Sequence, residues 1–285
     1  MMNSSPNWRR AMFTGFISLL LLALIASAQQ RYRRGWEDYD ERSGVPGWEL
    51  DAELPEDKFT FVRIIYSSDG NGWRRGGNCW TDYPESDLNF SFRLQQLTTM
   101  KVDPDGVQLE LTDDRLFDYP FIYIVEPGRL FFSEAEVSAL RKYLLNGGFL
   151  MVDDFWGEEE WDNFHQEIKR VFPEREPEEI PLEHEIFNTV FPLKKTLKEI
   201  PQIPSIGQAL SGRWEGRTWE RWDAEIPHYK VIKDDNDRVM VIICHNTDLG
   251  DGWEREAENE WYFREFSEKK AYPLGINIVF YALTH

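Results

Sequence analysis

The segment from residue 133 to residue 155 constrains the fold of this chain more than any other part of the sequence. Ser133 and Glu136 have the spacing of a helix-capping box, and an apolar stripe follows them at helical intervals. Gly147 stands where such a helix would end in a left-handed cap. Residues 149–152 are apolar throughout and too few for a helix, so they predict a buried parallel strand.

Two carboxyl groups, Asp153 and Asp154, follow that strand directly. In open α/β sheets, ligands gather at the carboxyl ends of parallel strands. The alternation of strands with helices predicts a mostly parallel, doubly wound α/β sheet with helices on both faces. The right-handed crossover rule then brings the loops after the strands to one edge. Those loops are residues 67–89, 126–129, 153–157 and 245–254.

Hydrophobic periodicity predicts the other elements of this sheet. Strands are expected at residues 59–66, 107–111, 121–125, 149–152, 228–233 and 239–244. Helices are expected at residues 84–98, 133–146, 158–171 and 274–283. Residues 173–212 are punctuated by prolines and predict irregular structure.

The N-terminus has the pattern of a signal peptide. A basic start is followed by a short apolar run, and Ala26-Ser27-Ala28 fits a cleavage site, so residues 1–28 are predicted to direct export. The alternative is an uncleaved membrane anchor. Residues 29–57 are polar and predict a flexible stalk, and residues 58–285 predict a single α/β domain that lies outside the cytoplasm.

The charge of the chain limits its partners. The formal net charge is −19, and removal of residues 1–28 would leave 30 basic and 51 acidic side chains, a net charge of −21. Nucleic-acid binding and attachment to anionic lipid both need a basic surface, so neither is expected beyond the signal segment. A small molecule, an envelope protein or a divalent cation remains as the expected partner.

Two cysteines, Cys79 and Cys244, stand far apart in the sequence. Export would permit a disulfide, and both cysteines are expected near the same sheet edge. A Cys79–Cys244 bridge is therefore a hypothesis.

Three stretches resemble the signature of a bacterial family of exported proteins, domain of unknown function 4159. They are the Cys-Trp-Thr-Asp-Tyr-Pro-Glu-Ser-Asp-Leu-Asn stretch at residues 79–89, Asn-Gly-Gly-Phe-Leu-Met-Val-Asp-Asp at 146–154, and Asn-Thr-Asp-Leu-Gly-Asp-Gly-Trp-Glu at 246–254. The resemblance covers about residues 58 to 284 and implies a flavodoxin-like sheet related to the class I glutamine-amidotransferase fold.

That relationship also implies where the chemistry would lie. A class I amidotransferase carries a nucleophilic cysteine at the turn after a Gly-Gly strand, where this chain has Asp153 or Asp154. His245 follows a strand as the histidine of that fold does, but Thr247 replaces the glutamate two positions later. The resemblance therefore implies the scaffold without glutaminase activity.

The acidic residues expected at the carboxyl edge of the sheet, here called the acidic edge, suggest two kinds of chemistry. Asp248, Asp251 and Glu254 are candidate ligands of a divalent cation, because hard cations need several converging oxygens. The alternative is that these acids cap helices or face solvent. Asp154 and His245 are a candidate catalytic pair, and the alternative is a histidine that holds the edge loop by hydrogen bonds.

Further side chains of the edge loops are candidate ligand contacts. Arg74 and Arg75 lie in a glycine-rich loop and would pair with the acidic edge or with a substrate carboxylate. The complete set of predicted ligand-binding residues is Arg74, Arg75, Trp80, Asp82, Glu126, Asp153 and Asn246.

A tryptophan-rich segment contains Trp214, Trp219 and Trp222 interleaved with arginines. Its aromatic faces suit sugar rings or cation–π contacts, although a flap packed on the domain by its tryptophans is favoured. Three functions remain open: an extracytoplasmic ligand-binding domain, a metal-assisted hydrolase, and a structural protein of the cell envelope.

Overall fold

A computed structural model describes residues 42–50, 57–68 and 78–285. The predicted signal peptide, most of the predicted stalk, and both Arg74 and Arg75 lie outside the described residues. Residues 45–285 form one compact unit. Among the helices of the described residues, none combines the length and the apolar character needed to cross a lipid bilayer.

The strands and helices alternate through most of the chain. The strands are β1 Val62–Ile65, β2 Ser67–Ser68, β3 Val107–Glu110, β4 Phe121–Val125, β5 Leu130–Phe131, β6 Phe149–Asp153, β7 Glu178–Glu179, β8 His228–Lys233 and β9 Val239–His245. The α-helices are α1 Glu85–Leu97, α2 Glu134–Leu145, α3 Gly157–Val171, α4 Leu193–Thr196, α5 Ile206–Gly212, α6 Leu249–Glu254, α7 Glu260–Tyr262 and α8 Tyr272–Thr284.

Seven of these strands form one sheet in the order β3-β1-β4-β6-β9-β8-β7. β3, β1, β4, β6 and β9 are parallel to one another, while β8 pairs antiparallel with both β9 and β7. In the centre of the sheet, Val125 at the end of β4 lies beside Asp153 at the end of β6. The carboxyl ends of the central strands therefore lie at one edge, as the sequence predicts.

Two hydrophobic cores cover the two faces of the sheet. Strand residues alternate between them, so that Phe121 and Tyr123 of β4 face one core and Ile122 and Ile124 face the other. Helices α1, α6 and α8 pack on the first face, and α2 and α3 pack on the second. The prediction of an α/β sheet with helices on both faces is confirmed.

The segment at 133–155 folds as its pattern predicts. The Ser133 hydroxyl accepts a hydrogen bond of 3.3 Å from the Glu136 backbone N–H, and the Glu136 carboxylate accepts one of 2.7 Å from the Ser133 backbone N–H. Gly147 ends the helix at φ +104°, a conformation that costs glycine little. The Leu140 side chain is buried against the sheet.

Three parts of the fold differ from the sequence-based expectation. Residues 173–212, expected to be irregular, contain the edge strand β7 and the helices α4 and α5. Residues 249–254, expected as a loop, form the short helix α6. Trp48, expected in the stalk, packs against Phe92 and donates a hydrogen bond of 2.8 Å from its indole nitrogen to the Val102 carbonyl. The domain therefore begins before residue 58, because this tryptophan buries part of its ring on the core.

The hypothesis of a Cys79–Cys244 disulfide is wrong. Both side chains are free thiols and almost completely buried. Cys79 packs in the core that faces α2 and α3, whereas Cys244 packs in the core that faces α1 and α8. The sheet separates the two sulfur atoms, so they lack the close approach that a disulfide needs.

Candidate functional site

A polar cleft of about 730 Å³ opens at the carboxyl edge of the sheet. The loops after β2, β4, β6 and β9 contribute to its walls, and further walls come from α3 and from the segment between α5 and β8. Among the described residues, seven carboxyl groups line it: Asp82, Glu126, Asp154, Glu160, Glu220, Asp248 and Asp251. Three guanidinium groups, those of Arg129, Arg221 and Arg255, also reach it. The cleft is therefore strongly acidic.

Asp154 lies on a left-handed turn directly after β6. Its φ is +57°, which a non-glycine residue adopts only when its surroundings hold it there. Its carboxylate accepts a hydrogen bond of 3.0 Å from the indole nitrogen of Trp156, and the residue is only 7% exposed. Burial, followed by the nearby charges of Glu126 and Asp82, raises the pKa of Asp154 well above its usual value.

Asp153 fastens the end of β6 to the start of α6. Its Oδ2 atom accepts hydrogen bonds from the backbone N–H groups of Leu249 at 2.8 Å and Gly250 at 3.1 Å. The hydroxyl of Tyr123 donates to the same oxygen at 3.2 Å. Burial raises the pKa of Asp153 to about 7, although these hydrogen bonds oppose that shift. Asp153 therefore lies beneath the cleft and does not line it.

Asp82, Asp248 and Asp251 bring three carboxylates together. One oxygen from each lies within 4.8 Å of the other two. Asp248 caps α6 by accepting a hydrogen bond of 2.7 Å from the Asp251 N–H, and Asp251 accepts one of 3.1 Å from the Ile206 N–H. The close approach of Asp82 requires a glycine at position 250, because a Cβ atom there would lie only 2.4 Å from Asp82 Oδ2. Asp82 Oδ2 is buried and has no hydrogen-bond partner among the described residues.

The pKa values of these three aspartates are raised. Burial is the largest cause for each, because it disfavours the charged form. The second cause for Asp82 is the charge of Asp251, and for Asp248 it is the charge of Asp154. The aspartates of the cleft therefore repel one another, and a positive charge placed among them would be stabilised.

Two predicted acidic residues lie at the margin of this cluster. Glu254 is outside the three-carboxylate group and forms an ion pair with Arg255 at 2.5 Å. Burial is the largest cause that raises its pKa to about 7. Glu126 lines the cleft and accepts a hydrogen bond of 2.9 Å from the Thr81 hydroxyl.

His245 faces away from the cleft. Its Nε2 atom lies 3.1 Å from the Gly157 carbonyl, and its ring packs against Phe155 and Trp161 with centroid distances of 4.7 Å and 5.3 Å. Burial lowers its pKa to about 4, so the imidazole is neutral at pH 7. The predicted pair with Asp154 is not formed, because the last side chain of β9 turns towards α3.

Asn246 and Trp80 have structural contacts in place of the predicted ligand contacts. The Asn246 side chain accepts a hydrogen bond of 2.8 Å from the Gly157 N–H and donates one of 2.8 Å to the Ile226 carbonyl. Trp80 is 46% exposed, and its ring packs edge-on against Tyr83. Neither residue lines the cleft.

A buried ion pair that the sequence analysis did not identify supports one wall of the cleft. Arg63, in the middle of β1, is 1% exposed and donates to Asp87 at 2.5 Å. It also donates to the carbonyls of Cys79 at 3.1 Å and Thr81 at 3.0 Å, which fixes the loop that carries Asp82. A single arginine in an otherwise apolar strand was the sequence signal for this pair.

The comparisons with known proteins give a family and no function. A search of the curated proteins found no match to the chain. The model of the family described as domain of unknown function DUF4159 matches residues 60–283, which is most of the chain. The resemblance noted in the sequence is confirmed, and the chain belongs to the DUF4159 family.

Proposed function

We propose that this chain is a ligand-binding domain with a class I amidotransferase-like scaffold, that it lacks glutaminase activity, and that its ligand occupies the acidic cleft. The observation that carries the proposal is the cleft itself, which lies at the carboxyl ends of parallel strands and is lined by seven carboxyl groups. Ligands of doubly wound folds bind at this edge.

The strand order supports the scaffold. Counted along the chain, the five parallel strands β1, β3, β4, β6 and β9 stand in the order 2-1-3-4-5, the flavodoxin-like order. The switch point of that order lies between β1 and β4. Asp82 follows the first of these strands and Glu126 follows the second, so the cleft borders the switch point.

The residue at the turn after β6 supports the loss of glutaminase activity. Asp154 occupies the left-handed turn where the resemblance implies a nucleophilic cysteine. Neither thiol of the chain is a substitute nucleophile, because burial raises the pKa of both Cys79 and Cys244. We expect no release of ammonia from glutamine by the purified protein, and measurable glutaminase activity would refute this part of the proposal.

Ligand binding is tested by thermal stability. We expect a screen of divalent cations, sugars, amino acids and peptides against the mature chain to yield at least one ligand that raises the Tm. At one hundred times its Kd, a ligand adds about 2.7 kcal/mol to the free energy of unfolding. Asp154→Asn should weaken that binding, whereas Glu225→Gln, on an exposed residue away from the lining, should not. An Asp154→Asn variant with unchanged affinity would place the ligand elsewhere.

A metal-assisted hydrolase is a second candidate, and the three-carboxylate group favours it. Asp82, Asp248 and Asp251 offer oxygen atoms, the ligands that Mg²⁺, Ca²⁺ and Mn²⁺ prefer. A bound ion would supply a Lewis acid or an activated water at the cleft. His245 and Glu254 are not part of this ligand set.

Metal analysis separates the two candidates. The hydrolase requires an ion at a fixed ratio to protein after dialysis, with that ion lost in Asp82→Asn and retained in Glu225→Gln. Asp82 suits this test, because its side-chain oxygen Oδ2 makes no hydrogen bond that the fold would lose. A metal-free wild-type protein that still binds an organic ligand would leave only the first candidate.

We also propose that the domain acts outside the cytoplasm, on the strength of the signal-peptide pattern at residues 1–28. The intact mass of protein recovered from the periplasm should match a chain that begins at residue 29. A full-length mass in the membrane fraction would instead indicate an anchor, and recovery in the cytoplasm would refute export. An envelope protein remains an alternative occupant of the cleft.

A further inference from the structure

We propose that Trp214 and Trp222 form a platform that stacks on the sugar rings of a glycan chain. This inference rests on the proposed function, because Trp222 directly follows Glu220 and Arg221, which line the acidic cleft, and would extend its ligand site. The two tryptophans lie on the segment from residue 213 to residue 227, which joins α5 to the strand β8.

Both side chains are far more exposed than tryptophan usually is. Trp214 is 87% exposed and Trp222 is 92% exposed. A tryptophan offers a large apolar face, and leaving that face in water forgoes the free energy of its burial. The expectation of a flap packed on the domain by these tryptophans is therefore wrong for both of them.

Polar side chains hold the segment against the domain instead. The Thr218 hydroxyl donates to Gln202 at 2.6 Å, and the Glu220 carboxylate accepts from the Ser205 N–H at 2.6 Å. Arg221 forms an ion pair with Glu160, and Asp223 accepts from the Glu158 N–H at 3.1 Å. The backbone is thus anchored on both sides of Trp222 while that ring points into solvent.

An arginine side chain lies close to the other tryptophan. The Arg213 guanidinium lies 5.4 Å from the ring centroid of Trp214 and 4.3 Å from that of Trp261. Trp214 remains exposed despite this contact. A preorganised aromatic face loses little conformational entropy when a ligand stacks on it, which is the property a binding platform needs.

The chemistry of the adjacent cleft matches a glycan. Glu220 and Arg221, on the platform segment, also line the cleft. Carboxylates accept hydrogen bonds from sugar hydroxyls, and guanidinium groups donate to them, while the apolar faces of sugar rings suit tryptophan. A glycan that stacks on Trp222 would place its next sugar units near Glu220 and Arg221, whose side chains can bond sugar hydroxyls. A bilayer is a poorer fit, because the acidic protein repels anionic lipid.

The test uses cellohexaose and the hexamer of N-acetylglucosamine as probes. We expect at least one to bind the mature chain by isothermal titration calorimetry, with a change in tryptophan fluorescence. Trp222→Ala and Trp214→Ala should each weaken that binding about tenfold, equivalent to about 1.4 kcal/mol. Trp222→Phe should retain most of the affinity. Since both rings are exposed, these variants should fold like the wild type.

Ile226→Ala is the matched control, because Ile226 is 65% exposed nearby but has no aromatic face. The proposal is overturned if neither hexasaccharide binds, if both tryptophan variants bind like the wild type, or if Ile226→Ala loses as much affinity. The last result would indicate a general apolar surface for a protein partner. Binding that is lost in Asp154→Asn and kept in both tryptophan variants would leave the proposed function standing without the platform.

Discussion

Two groups of buried charge lie near the carboxyl edge of the sheet, and their partners differ. Arg63 and Asp87 form a pair in which all three guanidinium nitrogens of Arg63 donate hydrogen bonds. Asp82, Asp248 and Asp251 instead stand close to one another. Burial raises the pKa of all three, and nearby carboxylates add to the rise for Asp82 and Asp248, while the Arg255 guanidinium, 3.5 Å from Asp251, opposes the rise there. The comparison separates a carboxylate whose charge an arginine neutralises from a cluster whose carboxylates mainly face one another.

Breaking the paired group should have the largest effect. Arg63→Met would leave the Asp87 carboxylate buried without its cation, and we expect a loss of about 3–5 kcal/mol in the free energy of unfolding. Urea denaturation measures it. The double variant Arg63→Met with Asp87→Leu should recover part of the loss, because it leaves no unpaired charge. A single variant as stable as the wild type would contradict this interpretation of the pair.

Asp153, buried beneath the acidic group, should make stability depend on pH in the opposite sense from a carboxylate in an ion pair. The pKa of Asp153 is raised to about 7 in the folded protein, so between pH 4 and pH 7 the folded state holds a proton that the unfolded state has released. Its contribution to the free energy of unfolding therefore falls as pH rises through that window, by about 1.4 kcal/mol per pH unit.

Asp153→Asn tests this slope. The amide cannot ionise and still offers an oxygen to the Leu249 and Gly250 N–H groups. Urea denaturation at half-unit intervals of pH should give a shallower decline for the variant than for the wild type. Identical slopes would assign the pH dependence to other groups.

The smallest expected effect is a gain in stability. Asp82→Asn removes one of the repelling carboxylates, and we expect about 0.5–1 kcal/mol of stabilisation at pH 8 in the absence of a cation. The gain in Tm should shrink at pH 5, where protonation already relieves the repulsion. A loss of stability at pH 8 would mean that Asp82 supports the fold, as Asp87 does.

The sequence predicted most of the fold, because the strands and long helices have strong periodic patterns. Residues 121–125 and 149–152 are uniformly apolar, which fits strands buried on both faces, and the Ser133–Glu136 box located its helix. Helix α6 was missed, since its six residues contain two glycines and only two apolar side chains, Leu249 and Trp253. The first residue of this helix donates a backbone hydrogen bond to Asp153, which lies far earlier in the chain. A local sequence pattern cannot predict such a long-range contact.

The candidate site was predicted in part. Asp82, Glu126, Asp154, Asp248 and Asp251 converge because each follows a strand of the same edge. The direction of a side chain at a strand end depends on local twist and on its neighbours, so the sequence did not reveal that His245 turns towards α3. Glu160 and Glu220 come from segments that were not expected to reach the cleft.

The two buried thiols can report local opening of the fold, because a reagent reaches them only when they become exposed. Each sulfur is shielded in a different core, Cys79 on one side of the sheet and Cys244 on the other. A thiol reagent can modify Cys244 only after the helices over its face have separated from the strands, and Cys79 only after the short turn at Asn78–Trp80 has opened. Labelling rates of the Cys79→Ala and Cys244→Ala variants would therefore time these two openings independently, and would report whether they occur together or one before the other.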